Sequence, residues 1–293
     1  MTKPAIPRET LGLLLGLTGV IIFGGSLPFT RLAVEELDAG FISFARPLIA
    51  SVVALTVLIV RRCKLPPRRD LIRLFIAAFC LTYGWPGLAN LAMVTVPATH
   101  GGVVTGILPL ATAVAAAIMI RDRPPLAFWA LALLGAAIIV TFAIYRGAGA
   151  PLPGDTFLFI GMAICAVGYV LVGELSRRYR AWEVLFWQLV MMLPFSLVGT
   201  IWFWQPNISA IHAGPWIGFW YTVIFSQLIG LFSWNWGLAL GGVARISQLQ
   251  LLQTFVAIGW ALLINHEPFD ALAVLAAIAI VGIIIATRRV RRA

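Results

Sequence analysis

The sequence predicts an all-α membrane protein, with ten transmembrane helices arranged as two inverted five-helix repeats. Three observations predict it: long apolar runs in an apolar composition, a near-repetition of the chain at an offset of 144 residues, and a one-sided distribution of cations. Of the 293 residues, 61% are hydrophobic and only 11% charged, where soluble domains carry about a quarter charged. Crossing ~30 Å of hydrocarbon takes roughly 20 apolar residues in a helix, and runs of that length recur along the chain. They are continuous and lack the period-two alternation of barrel strands.

In order, the first span covers 11–31, behind Lys3 and Arg8, and the second 39–60, between Asp38 and the Arg61-Arg62 pair. The third, 71–92, follows Arg68 and Arg69; the fourth, 98–120, stops at Arg121; the fifth, 125–145, stops at Arg146. The sixth, 156–175, precedes Arg177 and Arg178, and the seventh, 182–204, follows Arg180. The eighth, ninth and tenth are 217–239, 243–265 and 268–287, the last ending at Arg288. Residues 1–10 are short for a presequence and no small-residue cleavage site follows the first run, so that span is expected to be retained. Cys63, Cys80 and Cys165 are too few and too scattered for a disulfide framework or a metal site. No cofactor is expected.

The net charge is +10, and its placement excludes a nucleic-acid partner. Of the 21 Lys and Arg residues, 18 fall on one side of the predicted spans: Lys3, Arg8, Arg61, Arg62, Lys64, Arg68, Arg69, Arg73, Arg121, Arg123, Arg177, Arg178, Arg180, Arg245, Arg288, Arg289, Arg291 and Arg292. Arg31 and Arg146 fall on the other side, and Arg46 lies within a span. Positive-inside bias therefore predicts both termini in the cytoplasm.

Residues 107–124 align without a gap to 251–268, and Leu108/Leu252, Ala113/Ala257, Ala117/Ala261, Ile120/Ile264 and Pro124/Pro268 coincide. Each copy reads apolar span, three polar residues, proline, apolar span. A Gly/Pro-rich break, RGAGAPLPGDT at 146–156, falls at the midpoint. It divides the chain into a first repeat at 1–146, a linker at 147–155 and a second repeat at 156–293. Five crossings is an odd number, so the second repeat enters the bilayer upside down. Inverted repeats of this kind place a substrate site near the midplane between the halves and give alternating access when the halves exchange conformations.

The segments FGGSLPFTRLAVEELDAGFISFARPLIA at 23–50, GILPLATAVAAAIMIRDRP at 106–124 and LLINHEP at 262–268 resemble the EamA type of the drug/metabolite transporter superfamily. The resemblance runs from about 11 to 287. Within that superfamily the tryptophan-rich eighth span looks closest to the YddG-type exporters of aromatic amino acids and methyl viologen. Gln253 replaces the second-half counterpart of Pro109, and the exit acids, Asp122 and Glu267, are out of register by one. The resemblance implies a bacterial inner-membrane carrier of small molecules, embedded in lipid, and not an enzyme.

Polar and aromatic groups inside apolar spans mark candidate substrate contacts. Tyr83, Gly87 and Asn90 share one helix face, and their counterparts at +144 are Gln227, Leu231 and Trp234. His100 and Val104 correspond to Ala244 and Gln248, which makes His100 and Gln248 candidates. Tyr169 follows Gly168, the counterpart of Gly24, and is expected to face the centre. Arg46 lies about two turns from a span end, where snorkelling, carbonyl capping and an anionic substrate group are all open. Pro86, Gly101, Gly102, Gly241 and Gly242 are candidate hinges, and small-xxx-small spacing at Gly102/Gly106 and Gly237/Gly241 also suits close helix packing.

No carboxylate is expected deep in a span, which disfavours a proton-coupled cation antiporter and favours facilitated movement or coupling through a group such as His100. HExxH, GxSxG, P-loop and CxxC patterns are absent. The expected function is export of small amphipathic metabolites, aromatic and other neutral amino acids first. A carrier of lipophilic cations or nucleotide sugars, and from another class a lipid scramblase or membrane enzyme, are the alternatives.

Overall fold

In a computed structural model, residues 7–119, 125–146, 152–176, 178–241 and 249–292 are described. Among them there is no strand, and eight helices are long and apolar enough to cross a membrane. These are α1 (Arg8–Ala33), α2 (Ala39–Val60), α3 (Arg68–Met93), α4 (Ala98–Met119), α5 (Leu126–Arg146), α6 (Pro153–Leu175), α7 (Trp182–Trp202) and α8 (Ala213–Trp234), the last continuing to Gly241. Two shorter apolar helices follow, α9 (Gln253–Ile264) and α10 (Ala271–Ala286 in its apolar part). Length and hydropathy thus give eight crossings where the sequence predicts ten. The expected ninth span begins at 243, but residues 242–248 lie outside the described residues, and α9 is described here from Gln253, behind a 3-10 turn at Leu249–Leu252.

Three of the long helices are irregular for reasons their residues supply. In α1, one helical segment ends at Gly24 and the next begins at Ser26; Pro28 has no N–H to return to the preceding turn. The carbonyls at the bend are taken up from the second half of the chain, Ile21 O by Trp260 Nε1 at 3.1 Å and Ile22 O by the Tyr221 hydroxyl at 2.9 Å. In α3 a π turn at Cys80–Gly84 precedes Pro86, whose ring displaces the usual bond to the previous turn. In α8 the π segment is Tyr221–Gly230, and adding 144 to 80–84 gives 224–228, inside it. The same distortion therefore recurs at the same offset as the sequence echo.

Glycines set how closely the helices approach. Gly237 of α8 lies against the backbone of Gly12 and Gly16 in α1, Gly161 and Gly168 of α6 lie against Trp85, Leu81 and Cys80 of α3, and Gly199 of α7 lies against the Phe44 ring of α2. The largest apolar cluster joins Met93, Val103, Phe142, Leu158, Met162 and Ile280 across α3, α4, α5, α6 and α10.

Polar ties between the two halves gather at the end that the sequence leaves poor in arginine. Glu267 Oε1 and Oε2 accept from the backbone N–H groups of Ala98 and Thr99 at 2.6 and 2.8 Å, capping α4. Asn265 Nδ2 donates to Pro28 O at 3.1 Å, Gln205 Oε1 accepts from Asp38 N at 2.8 Å, and Arg146 pairs with Asp270 at 2.8 Å. Within the first half, at the same end, the Arg31 guanidinium donates to Met93 O. At the opposite end Asp70 accepts from Arg178 and from the Tyr179 hydroxyl at 3.1 and 2.7 Å, and that bond holds the Tyr179 phenol above its ordinary range.

Because a side-chain cap is worth about 1 kcal/mol, Glu267→Ala is expected to lower the melting temperature in detergent by about 2 to 4 °C. A thermal-shift measurement on the purified protein checks this.

Glu36 forms a further tie in the same region. It accepts from the His212 backbone N–H at 2.9 Å and contacts His212 Nδ1 at 2.7 Å. The backbone bond, then the ring contact, holds its carboxyl below the usual range. A depressed carboxylate contributes stability above its unfolded value and loses it as pH falls through the lowered one. Glu36→Gln is therefore expected to speed amide exchange in 205–212 at neutral pH, with the difference from wild type vanishing in acid below that value.

Candidate functional site

The polar groups buried between the halves are built on one face of α2. Ser43 and Arg46 are three residues apart and so lie on the same side of the helix. Ser43 Oγ donates to Ala39 O at 2.6 Å and accepts from Asn90 Nδ2 of α3 at 2.9 Å. One turn on, Arg46 Nε donates to Gln227 Oε1 of α8 at 2.6 Å. Residue 226, next to it, ties α8 to α1 through Ser226 Oγ and Ser26 Oγ at 2.7 Å. Asn90 is 1% and Gln227 6% exposed. Bonds from α1, α3 and α8 thus link four helices of both halves around this face of α2, with α8 reaching Arg46 itself.

The electrostatics of this cluster are unbalanced. Arg46 is half-buried inside a span, and among the described residues no carboxylate pairs with it. Its Nε is committed to an amide, which leaves the edge formed by its two terminal amino groups. That edge matches the two oxygens of a carboxylate. A cation in an apolar span costs about 2.5 to 3.5 kcal/mol on insertion scales, and one amide oxygen offsets only part of that. The π segment of α8 carries Gln227, so the helix distortion sets where the amide reaches α2.

The other sequence-predicted residues lie apart from this cluster. The Tyr83 hydroxyl donates to Met192 O of α7 at 2.9 Å and contacts Ser196 Oγ at 2.6 Å, with its ring against Phe44 and Phe79. Its polar atom therefore serves an α3–α7 contact and is not free for a ligand. Trp234 lies where α8 crosses α1, its backbone and Cβ against Gly19 and its ring edge-on to Phe23, as helix packing requires. His100 is 1% exposed and bonded to Asp155 of α6 at 2.6 Å. Tyr169 is 40% exposed and contacts the fully buried Cys165, one turn back on α6. Gln248 and Gly242 lie outside the described residues.

Among the candidate hinges, Pro86 is buried just after the π turn. A Cβ at Gly101 would meet Met93 Cε at 2.7 Å, and one at Gly102 would meet Ala257 Cβ at 3.0 Å. Both positions are occupied by helix packing in this conformation. Gly241 is the last described residue of α8.

Three groups escaped the sequence reading. Ser43 carries a detectable signal, since it precedes Arg46 by one turn. Gln188 of α7 is 3% exposed with its Nε2 unpartnered, but a lone Gln among aromatics gave no face to assign it to. Asp155 is 0% exposed although it falls in the linker at 147–155, outside the predicted spans, where the sequence carries no sign of burial. It stands in the first turn of α6, and α4 crosses over it.

The profile of the EamA-like transporter family matches residues 10–144 and again 152–288. An uncharacterized transporter of Bacillus subtilis strain 168, YdeK, is 39% identical over 282 residues, covering 96% of this chain and 98% of its own. One solved crystal structure superposes with a TM-score of 0.62 over 97% of this chain and 99% of its own, at 17% identity, and supports the fold alone.

Proposed function

Since the chain belongs to the EamA-like transporter family, we propose that it carries small amphipathic metabolites with a free carboxylate across the bacterial cytoplasmic membrane, aromatic and other neutral amino acids first. The observation that carries this reading is Arg46, a cation inside a span with its Nε held by Gln227 and no acidic partner among the described residues. A substrate carboxylate completes the site. The same cation opposes lipophilic cations, which would bring a second positive charge into low dielectric.

Alternating access follows from two inverted five-helix units, with α9 and α10 as the ninth and tenth crossings and both termini cytoplasmic. The 144-residue echo, the twofold family match and the paired π segments of α3 and α8 support that arrangement. In this conformation the arginine-poor end, the periplasmic or outer face, carries more of the polar ties between the halves than the end held by Asp70. Export is the direction that the YddG-type resemblance favours.

Counterflow in liposomes tests the reading. Purified protein is expected to exchange labelled phenylalanine against internal phenylalanine. Unlabelled neutral amino acids should compete, and their methyl esters or a lipophilic cation should compete weakly. Absence of counterflow with every amino acid of a broad panel, or stronger competition by the esters, sinks it.

A further inference from the structure

At the arginine-rich end a cleft opens between α3, α6 and α7, away from the Arg46 cluster. Its floor is apolar: Leu74 of α3, Leu175 at the end of α6 and Val184 of α7 are buried and pack together. Its rim is polar. Lys64 comes from the α2–α3 connection and Tyr179 from the α6–α7 connection, while Glu183 and Trp187 lie one turn apart on the same face of α7. Two of these groups are already engaged, the Tyr179 hydroxyl by Asp70 at 2.7 Å and Glu183 by Arg180 at 3.8 Å. The other two are not. Lys64 is exposed and pairs with no carboxylate among the described residues, and the Trp187 indole N–H is buried with no partner.

We propose that this cleft binds one anionic glycerophospholipid of the phosphatidylglycerol class, with its phosphate between Lys64 and Trp187. A buried donor without an acceptor is costly, and a phosphate oxygen supplies the acceptor that the indole N–H lacks. Lys64, a point charge on a flexible stem, meets the same phosphate from the aqueous side. The headgroup hydroxyls donate to Glu183, and the apolar floor takes the first segment of the acyl chains. Charge selects the headgroup. Residues 61–73 carry Arg61, Arg62, Lys64, Arg68, Arg69 and Arg73 against Asp70, and the facing connection carries Arg177, Arg178 and Arg180 between Glu174 and Glu183. Basic clusters between spanning helices at a membrane surface attract anionic lipids. A zwitterionic headgroup brings an ammonium to Glu183 but leaves the surplus of cations unmatched.

The position of the cleft suits a lipid. Tyr179 and Trp187 stand beside cations at the end of the spans, the depth at which aromatic rings meet headgroups. Lys64 and Leu74 belong to the first half of the chain and Leu175, Val184 and Trp187 to the second, so a bound lipid touches both. It lies beside the direct ties at this end, Asp70 with Arg178 and Tyr179 and Arg73 with Glu174 at 3.6 Å. A lipid seated there adds a further contact between the halves.

The inference does not depend on what is transported, and its test measures binding alone. Native mass spectrometry of the purified, delipidated full chain in detergent, titrated with lipid, gives the affinity of the first lipid bound. Phosphatidylglycerol is expected to bind at least about 10-fold more tightly than phosphatidylcholine with the same chains, and Lys64→Gln to remove most of that difference, since hydrogen bonds to charged groups are the stronger ones. Trp187→Phe keeps the ring, loses the N–H and should weaken phosphatidylglycerol several-fold. Arg61→Gln removes an exposed cation of the same connection that does not line the cleft, and should change the affinity roughly two-fold or less, because exposed charges are screened. Lys64 is itself exposed, so Lys64→Gln spares the fold, which a thermal-shift measurement checks. Equal affinity for the two lipids, or equal weakening by Arg61→Gln and Lys64→Gln, means diffuse attraction to the surface and overturns the proposal. Displacement of the lipid by glycerol 3-phosphate at matched concentration assigns the cleft to a soluble phosphate and overturns it as well.

Discussion

Arg46→Met is expected to raise the KM for carboxylate substrates at least about 30-fold, which corresponds to about 2 kcal/mol, while leaving the protein as stable as wild type or more so. The two halves of this expectation have separate causes. Truncating one partner of a desolvated, hydrogen-bonded charge pair costs a ligand about 2 to 5 kcal/mol. In the unliganded protein, however, the Gln227 amide is the one hydrogen-bond partner of Arg46 among the described residues, and replacing an uncompensated buried charge by an apolar chain of similar volume is often neutral or stabilising. A merely structural arginine gives the opposite pattern, a lower melting temperature with transport reduced in proportion to the folded fraction. Arg46→Lys keeps the charge and loses the planar edge, so it should fall between the two. Gln227→Leu leaves Arg46 Nε unpartnered and frees the guanidinium to rotate, with a smaller loss in KM. Counterflow with free phenylalanine against its methyl ester reads the effect directly, because discrimination between the two should collapse in Arg46→Met.

What the sequence revealed of this site was the helix faces rather than the partners. The offset of 144 paired Tyr83 with Gln227 and Asn90 with Trp234, and each of these four does lie at a contact between helices. Their bonds, however, run to other residues: Gln227 to Arg46, Asn90 to Ser43, Tyr83 to Met192 and Ser196. Side chains of different length on equivalent faces reach different neighbours, so a repeat locates a surface without fixing its chemistry. The sequence reading placed no bend in the first span, although Gly24, Gly25 and Pro28 stand at it. The π turns of α3 and α8 were not visible either, because apolar periodicity barely changes when one residue is added to a turn. Asp155 was read as part of the polar break at 146–156, since nothing local says that α4, 55 residues earlier in the chain, covers it. The apolar runs themselves were readable because a membrane imposes the same demand on every crossing.

Gly237→Leu is expected to prevent formation of the native bundle, and Gly237→Ala to lower the melting temperature in detergent by several degrees. A Cβ built at Gly237 stands 2.7 Å from Gly16 N, 3.0 Å from Gly12 O and 3.0 Å from Gly16 Cα. All three are backbone atoms, so no side chain can swing aside and the helices themselves must part. The facing stripe on α1 is Gly12, Gly16 and Gly19, all buried, and Gly19 receives the Trp234 backbone at 3.3 Å. Between apolar helices in lipid, close backbone approach supplies much of the association energy, and overpacking a tight contact costs about 1–3 kcal/mol for small additions. Gly282→Ala is the control, because nothing lies within 4 Å of its Cβ position; there the better helix propensity of alanine should leave the melting temperature unchanged or raise it slightly, by up to about 1 kcal/mol of stability. The crossing also bears on transport. Gln227 stands on α8 ten residues before Gly237, and a helix pushed outward at Gly237 carries the amide away from Arg46. Gly237→Ala should therefore weaken phenylalanine counterflow more than its loss of stability alone accounts for, whereas Gly282→Ala should leave counterflow unchanged.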